Sequence, residues 1–61
     1  MNPLLADIEA FIETHGMSLT RFGREALNDI HLVVQLRAGR ELRSATERKV
    51  RTYMATYREA A

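Results

Sequence analysis

Four side chains between residues 31 and 38 have the types and spacing of a surface that contacts DNA bases. After His31, the spacing is three residues to Val34, four to Gln35 and seven to Ala38. This spacing places all four on one side of a helix over residues 29–38. Glutamine pairs bidentately with adenine, histidine donates or accepts a hydrogen bond, and valine or alanine contacts the thymine methyl group. The pattern predicts contacts to base edges, most directly through Gln35.

The residues on the other side of this helix are predicted to be buried. Ile30, Val33, Leu36 and Arg37 share it, and we expect it to face the core. Asp29 is expected to cap the start of the helix.

A second helix is predicted directly before this one, over residues 19–27. Ser18 is a favourable N-cap, and Asn28 tolerates the left-handed conformation that ends a helix. The inward side is Leu19, Phe22, Ala26 and Leu27. Gly23 costs about 0.5–1 kcal/mol relative to alanine in a helix, so it predicts close approach of a crossing helix. Two short helices joined by such a turn are typical of a helix-turn-helix, whose second helix enters the DNA major groove.

Two further helices are predicted at the ends of the chain. Asn2 and Pro3 start the first and Gly16 ends it, with Met17 folded back on its last turn. The first helix has one apolar stripe: Leu4, Leu5, Ile8, Phe11, Ile12 and His15. The last helix begins at the capping-box pattern Ser44 to Glu47. Its apolar stripe is Val50, Tyr53, Met54 and Tyr57.

The predicted fold is therefore all-α, a compact bundle of four short helices, or of five if residues 39–43 form a short turn. Residues 1–61 make a single domain, since a chain this short holds only one small core. The apolar surface of Tyr53, Met54 and Tyr57 is larger than the far end of such a small core can bury. We therefore expect part of this stripe to form a homodimer interface.

Composition excludes several classes of function. The 61 residues contain no cysteine, no glycine-rich phosphate loop and no histidine pair at metal-ligand spacing, so we expect no enzyme activity, no metal and no cofactor. No apolar run approaches the roughly 20 residues that span a bilayer, and the N-terminus lacks the pattern of a signal peptide. We expect a cytoplasmic protein without a membrane partner.

Charge is divided unevenly along the chain, although the net charge is only +1. Residues 1–36 hold two cations against five anions, a net −3, whereas residues 37–61 hold seven cations against three anions, a net +4. Six of those seven cations are arginine, which suits phosphate. A solvated basic helix explains the asymmetry equally well, so charge alone leaves a polyanion partner open.

The chain resembles the lambda-repressor-like (Cro/XRE-type) helix-turn-helix regulators of bacteria and phages over about residues 4–57. Phe22 and Gly23 stand where that family has an apolar residue followed by a small one. Val33 and Leu36 match its buried aliphatic pair, and Gly39 ends the helix as in the family. One position departs from the family pattern, because Leu27 and Asn28 replace the usual turn glycine.

The resemblance implies a small transcriptional regulator that binds double-stranded DNA in a sequence-specific manner. The helix over residues 29–38 would lie near base edges. The phosphate contacts that the resemblance implies are Ser18, Thr20, Arg21, Arg40, Arg43 and Thr46. Two alternatives stay open. One is a small helical interaction module, antitoxin-like or adaptor, that binds another protein, and the other is a nucleoid-type protein that binds DNA without sequence choice.

Overall fold

Four helices form the described part of the chain, residues 3–58, in a computed structural model of the protein. They are α1 Pro3–His15, α2 Leu19–Leu27, α3 Leu32–Arg37 and α4 Ser44–Thr56, and residues 3–58 contain no strand. The all-α prediction and the four helices are confirmed. Residues 40–43 are an irregular loop rather than a fifth helix, and the predicted cap Asn2 lies outside the described residues. No helix within residues 3–58 has the length and apolar character needed to cross a membrane.

Capping residues act as predicted at the end of α1 and at the start of α2. At the end of α1, Gly16 has φ +59°, and the Met17 N–H donates to the Ile12 carbonyl at 3.0 Å. This bond brings the Met17 side chain into the core. At the start of α2, the Ser18 Oγ accepts a hydrogen bond from the Arg21 N–H at 3.0 Å. Helix α4 begins at Ser44 as predicted, but its N-cap is Arg43, which makes no side-chain capping bond.

The segment between α2 and α3 is a turn of four residues, 28–31. Asn28 has φ +55°, so it supplies the predicted left-handed residue, and its N–H donates to the Arg24 carbonyl at 2.9 Å. Asp29 Oδ1 accepts from the His31 N–H at 3.0 Å. Because this Asx-type turn takes up Ile30 and His31, α3 starts at Leu32, three residues later than predicted.

The later start of α3 corrects the predicted inward side of that helix. Val33 and Leu36 are buried as expected, but Leu32 is also fully buried, and Ile30 is 48% exposed. Arg37 is exposed as well, and its Nε donates to Glu9 Oε1 at 2.9 Å. The prediction failed because it extended helical geometry back through two residues that belong to the turn.

The core lies where α2 packs against both α3 and α4, with α1 covering α3. All four helices and the α1–α2 connection contribute buried side chains: Leu4, Ile8, Met17, Phe22, Leu32, Val33, Leu36 and Val50. Phe22, near the middle of α2, is the largest fully buried side chain.

Gly23 lies where the turn after α2 contacts the helix. A Cβ at residue 23 would be 2.1 Å from the Asp29 carbonyl oxygen and 3.2 Å from the Leu32 Cβ. The Asp29 N–H also donates to the Gly23 carbonyl at 3.0 Å. The predicted close approach is thus made mainly by the turn backbone, together with the first residue of α3.

We predict that Gly23→Ala will lower the free energy of unfolding by about 3 kcal/mol or more, the upper range for overpacking, because backbone must move to admit the methyl group. Gly16→Ala is the matched control. A Cβ at residue 16 would meet no atom within 4 Å. The free energy of unfolding should therefore fall by only about 1–2 kcal/mol, the cost of a non-glycine residue in the left-handed conformation. Urea denaturation of both variants provides the measurement, and equal losses would contradict the close approach at Gly23.

Candidate nucleic-acid interface

The four predicted base-contacting residues lie on one exposed surface. His31, Val34, Gln35 and Ala38 are all exposed, and Val34 is 54% exposed. Ile30, which the sequence assigned to the core, is exposed too and directly precedes His31. The structure therefore brings the predicted set together and adds one apolar side chain. Contact with DNA stays a prediction for each residue. We call His31, Val34, Gln35 and Ala38, together with Ile30, the α3 surface.

Gln35 is held by the loop that follows α3. Its Oε1 accepts a hydrogen bond from Arg40 Nη1 at 2.7 Å, and the same Nη1 donates to Asp29 Oδ2 at 2.7 Å. The Arg40 N–H also donates to the Gln35 carbonyl at 2.8 Å. Arg40 therefore connects the turn before α3 with the side chain of Gln35. The phosphate contact predicted for Arg40 is untested, and its guanidinium already has two protein acceptors.

Asp29 is the anionic residue of this site. Its hydrogen bond from Arg40, and next the bond from the His31 N–H, hold the pKa of the Asp29 carboxyl below the ordinary aspartate value. Sequence reasoning assigned Asp29 only a capping role. The partner is eleven residues further along the chain, and no local pattern indicated the pairing.

The predicted phosphate contacts at the start of α2 lie together on the surface. Ser18, Thr20 and Arg21 are all exposed. Ser18 Oγ already accepts the capping bond. The Arg21 guanidinium donates to Glu25 Oε2 at 2.8 Å and to the Tyr57 Oη at 3.2 Å. Exposed ion pairs of this kind are weak, so Arg21 can exchange Glu25 for a phosphate at small cost.

The predicted phosphate contacts near α4 have a different environment. Arg43 is exposed directly before the helix, and Thr46 is half-buried in its first turn. No ion pair among residues 3–58 involves Arg43. The same holds for Arg48 and Lys49, which line a shallow depression between α2 and α4. These cations are available to an external anion, unlike Arg40.

The three residues predicted at a dimer interface are half-buried within the protomer. The Tyr53 ring packs edge-on against Phe22 with centroids 5.4 Å apart, and Tyr57 packs against Phe11 at 5.3 Å. Met54 also packs against the core. The core thus accounts for much of this stripe, and its role in dimerisation stays a prediction.

Hydrogen bonds tie the α4 tyrosines to α2. The Tyr53 hydroxyl donates to Glu25 Oε1 at 2.7 Å. This bond, and next the one from Arg21, keep the pKa of the Glu25 carboxyl below its ordinary value. Burial, together with the neighbouring Glu25, raises the pKa of the Tyr53 hydroxyl. Tyr53 therefore remains protonated and donates to Glu25 at neutral pH.

Within residues 3–58 there is no group of three or more His, Asp or Glu side chains that could hold a metal ion. Comparisons of the chain with protein-family models, with curated proteins and with solved structures found no match.

We predict that the pKa of the Asp29 carboxyl lies below the ordinary aspartate value and that Arg40→Met raises it. Because the folded-state pKa is the lower one, the contact stabilises the fold above the unfolded-state pKa. That contribution is lost as the pH falls through the folded-state pKa. NMR titration of the side-chain carboxyl carbon measures both values. Arg43→Met is the control and should leave the Asp29 pKa unchanged; an equal shift in the two variants would contradict the Arg40 contact.

Proposed function

We propose that this protein is a small sequence-specific DNA-binding regulator in which α2, the turn and α3 act as a helix-turn-helix. The observation that carries the proposal is the α3 surface, which is exposed, contains no lysine, arginine or carboxylate, and is rich in groups that suit base edges. A protein that bound DNA without sequence choice would favour lysine and arginine on this surface.

The packing of α3 supports this role. Leu32, Val33 and Leu36 hold one side of α3 in the core, so the opposite side is exposed to solvent. The major groove is about 12 Å wide and admits an α-helix. His31 and Gln35 would then approach base edges from the first turns of α3, as in other helix-turn-helix proteins.

Phosphate contacts would flank the α3 surface on both sides. Ser18, Thr20 and Arg21 at the start of α2 would contact one strand. Arg43 and Thr46 at the start of α4 would contact the other, where the N–H groups and dipole of a 13-residue helix favour an anion. Arg43 has no ion pair to break within residues 3–58, which makes it the strongest candidate among the predicted phosphate contacts.

We predict that Gln35→Ala and Arg43→Ala will weaken DNA binding in different ways. Loss of a base contact at Gln35 should cost about 1–3 kcal/mol at one position of the preferred site and leave the salt dependence nearly unchanged. Loss of the Arg43 charge should weaken binding to all sequences alike and reduce the slope of log affinity against log salt by about 0.9 per protomer. Anisotropy titrations with preferred and random duplexes at several salt concentrations measure both effects.

The preferred duplex for these titrations comes from selection on a randomised library. If the two variants behaved alike, α3 would not be the element that reads sequence. Equal affinity for every duplex would favour a DNA-binding protein without sequence choice.

The second candidate function is a protein-interaction module. Its supporting observation is the exposure of two large apolar side chains, Ile30 and Val34, on the α3 surface. Such residues suit an apolar protein partner as well as thymine methyl groups. Absence of duplex binding at low salt, where electrostatic attraction is strongest, would favour this candidate.

Self-association is a further part of the proposal. Two copies would place their α3 helices about 34 Å apart, one turn of DNA, on a site with two half-sites. We predict two chains per duplex in sedimentation velocity with such a site. A single chain per duplex at saturating protein would contradict the homodimer and leave the DNA-binding proposal standing.

A further inference from the structure

The Gln35 side chain does not present both of its hydrogen-bonding groups equally. Its amide oxygen accepts from Arg40 Nη1, whereas its amide nitrogen has no partner among residues 3–58. A glutamine that reads adenine needs both groups, because the oxygen accepts from N6 and the nitrogen donates to N7. The contact with Arg40 therefore bears on which base Gln35 can read.

We propose that Arg40 is a positioning residue that makes Gln35 a hydrogen-bond donor toward DNA, so that Gln35 selects guanine rather than adenine. The inference rests on the function proposed above and assigns Arg40 a task other than phosphate contact.

Arg40 is held in place from three directions. Nη1 donates to both Gln35 Oε1 and Asp29 Oδ2, each at an N···O distance of 2.7 Å. Asp29 is fixed in turn by the His31 N–H at 3.0 Å. The Arg40 main chain is anchored by its own N–H, which donates to the Gln35 carbonyl. The guanidinium is half-buried, so water competes with these bonds less than at a fully exposed arginine.

The hydrogen-bonding pattern of the bases then decides between the purines. Guanine presents two acceptors in the major groove, N7 and O6, and both suit the two N–H groups of the Gln35 amide. Adenine presents N7 and the N6 amino donor, and N6 would have to share the Gln35 oxygen with Arg40 by using its second lone pair, close to the guanidinium charge. The positive guanidinium beside that oxygen also repels an amino donor and attracts the guanine O6. Both effects favour guanine.

The experiment first locates the base that Gln35 reads. Wild-type protein and Gln35→Ala are compared by selection on randomised duplexes, and the position that loses its preference in the variant is the one that Gln35 contacts. Duplexes that differ only there, with guanine or adenine, are then titrated against wild type, Arg40→Met and Arg43→Met. We expect wild type to prefer guanine by roughly 5- to 150-fold, the range of one bidentate contact.

The ratio of the affinities for the guanine and adenine duplexes distinguishes a positioning role of Arg40 from a simple contribution of positive charge. Arg40→Met should lower the guanine-to-adenine ratio at least about fivefold, within that same range, and bring it toward or below one. Arg43→Met should weaken both duplexes and leave the ratio unchanged, because a phosphate contact is indifferent to the base. Adenine preference in wild type, or an unchanged ratio in Arg40→Met, would overturn the inference while the DNA-binding proposal survives. Binding without any sequence preference would overturn both.

A second measurement uses only wild-type protein, so it does not depend on the folding of a variant. Inosine in place of guanine keeps N7 and O6, and affinity should be retained. In 7-deazaguanine the N7 acceptor is missing, and affinity should fall by roughly 5-fold or more if the amide donates there. Equal affinity for guanine and 7-deazaguanine would overturn the bidentate donor role.

Discussion

The contact between Gly23 and Asp29 is the constraint on which the rest of the structure depends. The Asp29 carbonyl lies 2.1 Å from where a Cβ of residue 23 would be, so the turn can lie directly on α2 only because residue 23 is glycine. This approach places Leu32 in the core at the first position of α3. It also directs the Asp29 side chain away from the core, toward the His31 N–H and the Arg40 guanidinium. Asp29 thus links the packing of the turn on α2, through its backbone, to the arrangement of the α3 surface, through its side chain.

Ion pairing redistributes the charge that the sequence displays. Most acidic side chains of the described chain are matched with arginines: Arg21 with Glu25, Arg37 with Glu9, Arg40 with Asp29, and Arg51 with Asp7 and Glu47. These exposed pairs contribute little to stability, but each reduces the positive potential at its own position. Five cations have no ion-pair partner among residues 3–58: Arg24, Arg43, Arg48, Lys49 and Arg58. Three of them lie at the start and in the first turns of α4, which makes this end of the helix the largest group of unpaired positive charge in the described chain.

The aromatic residues of α4 show how a domain of 61 residues gains enough buried surface. Tyr53 and Tyr57 cover Phe22 and Phe11 with their rings while their hydroxyls reach Glu25 and Arg21 on α2. Each tyrosine thereby adds apolar area without leaving a polar atom unsatisfied, and no buried side-chain polar atom of the described residues lacks a partner. The same hydroxyl contacts hold the second half of α4 against α2.

The sequence by itself determined that the chain forms four helices, how α1 ends, how α2 begins and ends, and most of the core. Ser18, Gly16 and Asn28 act as predicted because capping is a local property of the backbone and of one short side chain. Val33, Leu36 and the exposed set from His31 to Ala38 follow from helical periodicity alone.

Tertiary structure alone decided two matters. The first is the start of α3, since an Asx-type turn at Asp29 and a helix beginning there are both compatible with the local sequence. Packing of Leu32 beside Gly23 selects the turn, and Ile30 is left outside. The second is the environment of Gln35, because Arg40 contacts it only after the chain has turned back at the end of α3. Periodicity places a side chain on a surface, but the hydrogen bonds it makes there depend on residues that folding brings near.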